Sequence, residues 1–199
     1  MNKKKAHGIQ LLIRAVVRDP DGNVISDTGR KPARSFVIAF LAFVGGMLDG
    51  ADGSETAVTG AEELIYDVSA DTLNVLNIVA GINDASFGIW VGTGDTAEDN
   101  IDHKLDVKLS EGVGAGSITH NATVIYATAV VGANVDLEIK RSFTNNTGST
   151  ITVKEAGLVC DAIYAPQPNH LLIRDVLPAP VDVPDNCSLS IHYTLRTTV

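Results

Sequence analysis

Apolar and polar residues alternate with a period of two over much of this chain, the pattern of strands with one face on a core. Ile9, Leu11, Ile13, Ala15 and Val17 fall on one face and Gln10, Arg14 and Arg18 on the other, with Leu12 and Val16 intruding on the polar side. Asp19-Pro20-Asp21-Gly22-Asn23 then reads as a turn. The period changes after Ser35: Phe36, Phe40, Phe43, Val44 and Met47 recur at helical spacing. A helix capped by Ser35 and running to about Leu48 is predicted, apolar around most of its circumference. A Gly/Asp/Ser/Thr-rich loop follows over residues 49–60.

Further strands are predicted at 62–68, 72–79 and 87–91, then a polar loop at 92–100. The spacing of Leu105 and Leu109 fits a short helix as well as a strand. Residues 122–131 are apolar on both faces, which predicts a strand buried on both sides or lying at an interface. Val135, Leu137, Ile139, Arg141 and Phe143 alternate with polar residues, and residues 150–163 return. Strands at 171–177 and 189–195 complete the chain; the last carries Leu189, Ile191, Tyr193 and Leu195 on one face. No helical crossovers separate these strands, so the sheets should be antiparallel. The expected fold is mainly β: an antiparallel sandwich or jelly-roll-like domain over residues 9–199 with one N-terminal helix, preceded by a basic arm over residues 1–8.

Two charges interrupt the apolar face around Asn145-Asn146-Thr147-Gly148: Arg141 before the turn and Glu155 after it. If the segment is a hairpin closed by a three-residue loop, Phe143 faces Ile151, Arg141 faces Val153 and Ile139 faces Glu155. Arg141 and Glu155 are then diagonal neighbours, and a partly buried ion pair between them is predicted, with Arg174 as the rival partner for Glu155.

Composition sharpens the function classes. Of 199 residues, 45% are hydrophobic, which supplies a core. The net charge of −9 is uneven. Residues 1–34 carry eight basic side chains against three acidic ones, and the rest carries seven against 21. An acidic body repels phosphate, so no specific nucleic-acid binding is expected. The basic N-terminal positions Lys3, Lys4 and Lys5, with Arg14 and Arg18, are instead candidates for docking on an acidic neighbour. The longest apolar run has 13 residues, against about 20 for a membrane span, and no export signal is evident. Cys160 and Cys187 are expected as buried, reduced thiols.

Chemistry is thinly represented. Gly92 to Ala97 matches G-x-G-x-x-A but lacks the helix and parallel strand that a dinucleotide site needs. The five histidines (His7, His103, His120, His170 and His192) have no metal-ligand spacing, and no serine sits in a nucleophile elbow. No catalytic residue, metal or cofactor is predicted, and the protein is not expected to be an enzyme.

Four stretches carry a family resemblance: GIWVGTGDTA, HKLDVKLSEGVGAG, RSFTNNTGSTITVKEAGL and LLIRDVLPAPVDVPDNCSLSIHYTL. Over residues 85–199 they resemble structural proteins of tailed bacteriophages and prophages, in which a V-G-T-G-x-T loop precedes an E-x-G-L segment and an [IV]-R-D-V-L strand. This chain has Pro184-Asp185-Asn186 where that pattern usually has a glycine turn. The resemblance implies a virion component assembled in the host cytoplasm, capsid-associated or of tail or fibre-base type. It would bind copies of itself or other virion proteins. Lys3, Lys4, Lys5, Arg14, Arg18, Phe36, Phe40, Val124 and Tyr126 are the candidate contacts. The alternative is a fibre-base or carbohydrate-binding module used for attachment, which would need an exposed aromatic platform; the one tryptophan, Trp90, is assigned to the core.

Overall fold

The computed structural model describes residues 8–33, 36–49, 53–66, 77–161 and 169–198. Lys3, Lys4 and Lys5, the expected cap Ser35 and most of the strand expected at 72–79 lie outside them. The elements in order are β1 (Gly8–Arg18), β2 (Val24–Asp27), β3 (Lys31–Pro32), α1 (Ile38–Asp49), β4 (Gly53–Thr56), β5 (Glu62–Tyr66), β6 (Gly88–Gly92), β7 (Ser110–Glu111), β8 (Ser117–Ile125), β9 (Ala129–Val131), β10 (Asn134–Thr144), β11 (Ile151–Cys160), β12 (His170–Val183) and β13 (Ser188–Thr198).

Two antiparallel-rich sheets make the body, so the chain is mainly β with one short helix. The larger runs β2-β1-β13-β10-β8-β7, with β3 on β1 and β9 on β10; the smaller runs β12-β11-β6. The described strands do not form the two four-stranded sheets of a jelly roll. The small hairpin β4-β5 stands apart from both sheets.

The alternation seen in the sequence places the core. Leu11, Ile13, Ala15 and Val17 of β1, Leu189, Ile191 and Tyr193 of β13, and Ile139 and Phe143 of β10 point from the large sheet into one buried cluster. Val153, Ala156 and Leu158 of β11, Ile89 and Val91 of β6, and Ile173 of β12 meet them from the small sheet. The small sheet is also covered on its other face. Trp90, Val159 and Leu171 pack there against Val37 and Ala39 at the start of α1 and Leu105 of the 93–109 segment. Burial on both faces explains why β6 and the second half of β11, Ala156 to Cys160, read as continuous runs without polar alternation. The segment with the ambiguous Leu105 and Leu109 is neither helix nor strand but an irregular run with one isolated bridge at Lys108, each leucine entering a different core cluster.

Asn145-Asn146-Thr147-Gly148 does not close a hairpin. β10 pairs with β13 on one edge and with β8 and β9 on the other, while β11 pairs with β12 and β6. The turn carries the chain from one sheet to the other. Phe143 and Val153 meet across the core instead of side by side. Alternation tells which side chains face inward; it does not tell whether two successive strands share hydrogen bonds or only a core.

Asn145 fixes this crossing. It is fully buried, its amide donates to Ser149 O (2.7 Å) and Val183 O (2.8 Å), and its carbonyl oxygen accepts from Thr147 N (3.0 Å). Its backbone N–H donates to Cys187 O, and its backbone C=O accepts from Asn186 N. One residue therefore ties the β10–β11 crossing to the parallel crossing from β12 to β13. In that second turn Asn186 takes φ +62°, the left-handed position that asparagine tolerates better than most residues, which accounts for Pro-Asp-Asn replacing a glycine turn. Asn145→Ala should cost about 2 kcal/mol, because the buried Val183 carbonyl and the Thr147 N–H lose their partners. Urea unfolding measures it, and a loss under about 0.5 kcal/mol would show that the crossing is held by other means.

Candidate functional site

The predicted ion pair is replaced by two separate arginine sites. Arg141 projects from the large sheet into the core, between the sheets, whereas Glu155 lies on the far face of the small sheet beside its partner residues Gly92 and Val176. The sheet itself stands between them, so the pair expected from a hairpin register does not form. Arg174, on the strand next to Glu155, is the partner: its Nε lies 3.2 Å from Glu155 Oε2.

Glu155 is fully buried and its carboxylate is the point on which the 93–107 segment closes. Besides Arg174 it accepts backbone N–H bonds from Gly94 (3.2 Å), Asp106 (3.0 Å) and Val107 (2.7 Å). The glycines of V-G-T-G make this approach possible. A Cβ on Gly92 would stand 2.5 Å from Glu155 Oε1, and one on Gly94 2.6 Å from the same atom. Arg174 completes the enclosure. It donates to Thr96 O (2.9 Å) and Ala97 O (3.3 Å) and pairs with Asp102 (2.8 Å). Burial alone would lower the Arg174 pKa, but Asp102 and Glu155 outweigh it and hold it above its ordinary value.

Arg141 is buried with no carboxylate paired to it among the described residues. Its guanidinium donates to the backbone carbonyls of Asn121 (2.7 Å), Phe87 (2.9 Å), Ile89 (3.1 Å), Gly81 (3.3 Å) and Asp84. Burial pushes its pKa down to about 10, against the weaker pull of Asp84 and Glu111. Lys108 holds the same 81–89 loop from another side. Its ammonium donates to Ala85 O (2.6 Å) and lies 3.3 Å from the Trp90 ring centroid. Burial and the Arg141 charge push Lys108 down to about 8.

The candidate contacts divide sharply. Arg14 is paired with Asp27, Nε to Oδ1 at 2.8 Å, and Arg14 and a Gly29 N–H hold the Asp27 carboxyl down to about 2. Arg18 is exposed and donates to Gly22 O within its own turn. Phe36 and Phe40 stack at 4.0 Å between centroids and pack on the main core, so these rings serve the fold; Ile38 and Leu41 are what the helix exposes. Trp90 is buried, and Cys160 and Cys187 are buried free thiols, burial pushing Cys160 up to about 12.

Residues 122–131 differ most from expectation. They form no strand buried on both sides. β8 ends at Ile125, β9 begins at Ala129, and residues 124–133 are all exposed. Val124 is 44%, Tyr126 45% and Val130 78% exposed. No charged residue occurs from Asn121 to Val135. The large sheet extends beyond the small one here, and the row Ile9, Thr197, Val135 and Val130 across four strands stays uncovered.

Sequence reasoning missed Asn145, Asp102 and Lys108. The signal for Arg174 was present, a lone cation inside the apolar run Leu171 to Leu177. Nothing comparable marks Asp102, which sits in a loop already rich in acids. No protein-family model, curated protein or solved structure matches this chain.

Two measurements test the site. In a double-mutant cycle, Glu155→Gln and Arg174→Gln should each cost about 3 kcal/mol and couple by more than about 1 kcal/mol, whereas Glu155→Gln and Arg141→Gln should add within about 0.5 kcal/mol. Coupling of Glu155 to Arg141 as large as that to Arg174 would refute the assignment. For Lys108 the folded-state pKa of about 8 lies below the ordinary 10.5, so the unfolded chain binds the extra proton between these values. Its contribution to stability therefore rises with pH across that window. Lys108→Met should flatten the rise between pH 7.5 and 9.5 in urea unfolding, and an unchanged slope would count against it.

Proposed function

We propose that this chain is a structural component of a tailed-phage or phage-like particle, built in by protein–protein contacts with copies of itself or with other virion proteins. The observation that carries this reading is the exposed, uncharged strip at residues 124–133, an apolar surface beyond what a solvated sheet end needs. The stretches that resemble phage structural proteins support it. They converge on the buried Glu155 and Arg174, where every polar group is spent on holding loops in place. Such a site builds a rigid frame. The attachment reading loses its best platform, because Trp90 is buried under Lys108.

Density-gradient purification of particles from producing cells, followed by mass spectrometry and immunogold labelling, tests the proposal. The chain should co-sediment with the particle at a fixed ratio to its other structural proteins. Recovery only in the free soluble fraction, with the other virion proteins assembled, would overturn it.

A further inference from the structure

Natural sheets protect their open edges with lysines, prolines, short lengths and bulges, since an open edge is a template for another strand. The edge formed by the end of β8, the 126–128 connection and β9 has none of the chemical protections. It reads Val-Ile-Tyr-Ala-Thr-Ala-Val-Val from Val124 to Val131, without charge or proline. The first part of β8 is covered, by the bonds Thr123 N to Ala80 O and Asn83 N to His120 O. Beyond it the outer edge carries no strand among the described residues.

The geometry limits what can pair there. Tyr126 bonds to Glu138 and Ala129 lies opposite Asp136, so Ala127 and Thr128 together oppose the single Leu137, a bulge. The bulge isolates β9 as a short, separate edge. β9 and β10 are joined by the two-residue turn Gly132-Ala133, with Gly132 at φ +63°. In such a hairpin the flanking residues Val131 and Asn134 bond to each other, so the Val130 N–H and C=O point away from β10. Val130 is also the most exposed large hydrophobic residue among the described residues.

We infer that β9 is a self-pairing edge: two copies of this chain join antiparallel through β9, with each Val130 opposite its counterpart around a two-fold axis. This deepens the assembly reading above and names its first partner as a second copy. A two-fold contact is self-complementary, so each copy offers the other the outward N–H and C=O that it lacks. β9 is three residues long and the apolar surface it carries beside Val135 is small, so the contact belongs to the weak class, below about 1,200 Å². The strip carries no charge, so two copies approaching along the two-fold bring no like charges together.

Analytical ultracentrifugation and light scattering of the full chain over about 1–100 μM test this, that range bracketing the micromolar affinity expected of a small interface. Wild type should dimerise. Val130→Lys should weaken the dimer at least tenfold by placing a charge on the two-fold axis. Val130→Pro should do the same by removing the outward donor while leaving the β9–β10 ladder intact. Circular dichroism melts should show both variants folded as wild type. A monomeric wild type, or dimers unchanged in both variants, would overturn the inference. So would a cross-link from position 130 that joins only a different virion protein in particles. Failure here is separable from failure of the particle reading. A chain that dimerises through β9 yet never enters particles refutes only the latter, and a chain found in particles whose self-association ignores Val130 refutes only the former.

Discussion

The small sheet depends on one buried carboxylate. Glu155 sits in a place where an ionised group is costly unless every lone pair is occupied, and three backbone N–H groups and one guanidinium occupy them. That requirement runs in both directions. The carboxylate is tolerable only if the 93–107 segment folds back over it, and the segment finds its place only because the carboxylate gathers its N–H groups. Gly92 and Gly94, the backbone of Asp106 and Val107, and Arg174 are three separate pieces of sequence with one common constraint. The enclosure also brings Leu105 onto Trp90 and Val159, so an electrostatic requirement positions an apolar layer.

Arg141 solves the opposite problem by different means. A buried guanidinium with no carboxylate partner must find neutral acceptors, and it takes them from the carbonyls of the 81–89 loop and of Asn121. The contrast shows in the proton affinities: the arginine with acidic partners is held above its ordinary pKa and the one with carbonyls falls below. Both arginines convert irregular backbone into fixed surface, one between the sheets and the other outside the small sheet. Five- to fifteen-residue loops that would otherwise move become part of the frame.

Periodicity made the strands of the C-terminal third legible, because each has one face on the core and its alternation is hard to mistake. Ile191 and Tyr193 inward, with His192 and Arg196 outward, is what the pattern requires. The helix was legible for the same reason, its spacing changing to that of a turn of helix. The Arg141–Glu155 pairing was not, because the sequence cannot distinguish a turn within a sheet from a turn between sheets. Asn145, just past the end of β10 in the large sheet, decides it by bonding to Val183 of the small sheet and to Cys187 in the turn before β13, some forty residues away in sequence. Long-range satisfaction of this kind leaves no local trace. Of the two readings open for residues 122–131, burial on both sides is excluded by the exposure of residues 124–131. Periodicity could not separate them, since an apolar strand with no cover looks the same in sequence as one covered twice.

That ambiguity is itself informative. A stretch apolar on both faces is selected for burial, and within a single copy these residues are not buried. The two sheets cannot supply the cover. The small sheet ends before the overhang, and its strands are committed on both faces to the core and to the Glu155 loop. Sliding the sheets to cover Val130 and Val135 would take Phe143 and Val153 out of contact, and would break the Asn145 crossing that sets their offset. The rigidity that Glu155, Arg174 and Asn145 impose on the frame is therefore what keeps the overhang open. A looser domain would collapse over its own apolar end; this one holds it out at a fixed geometry.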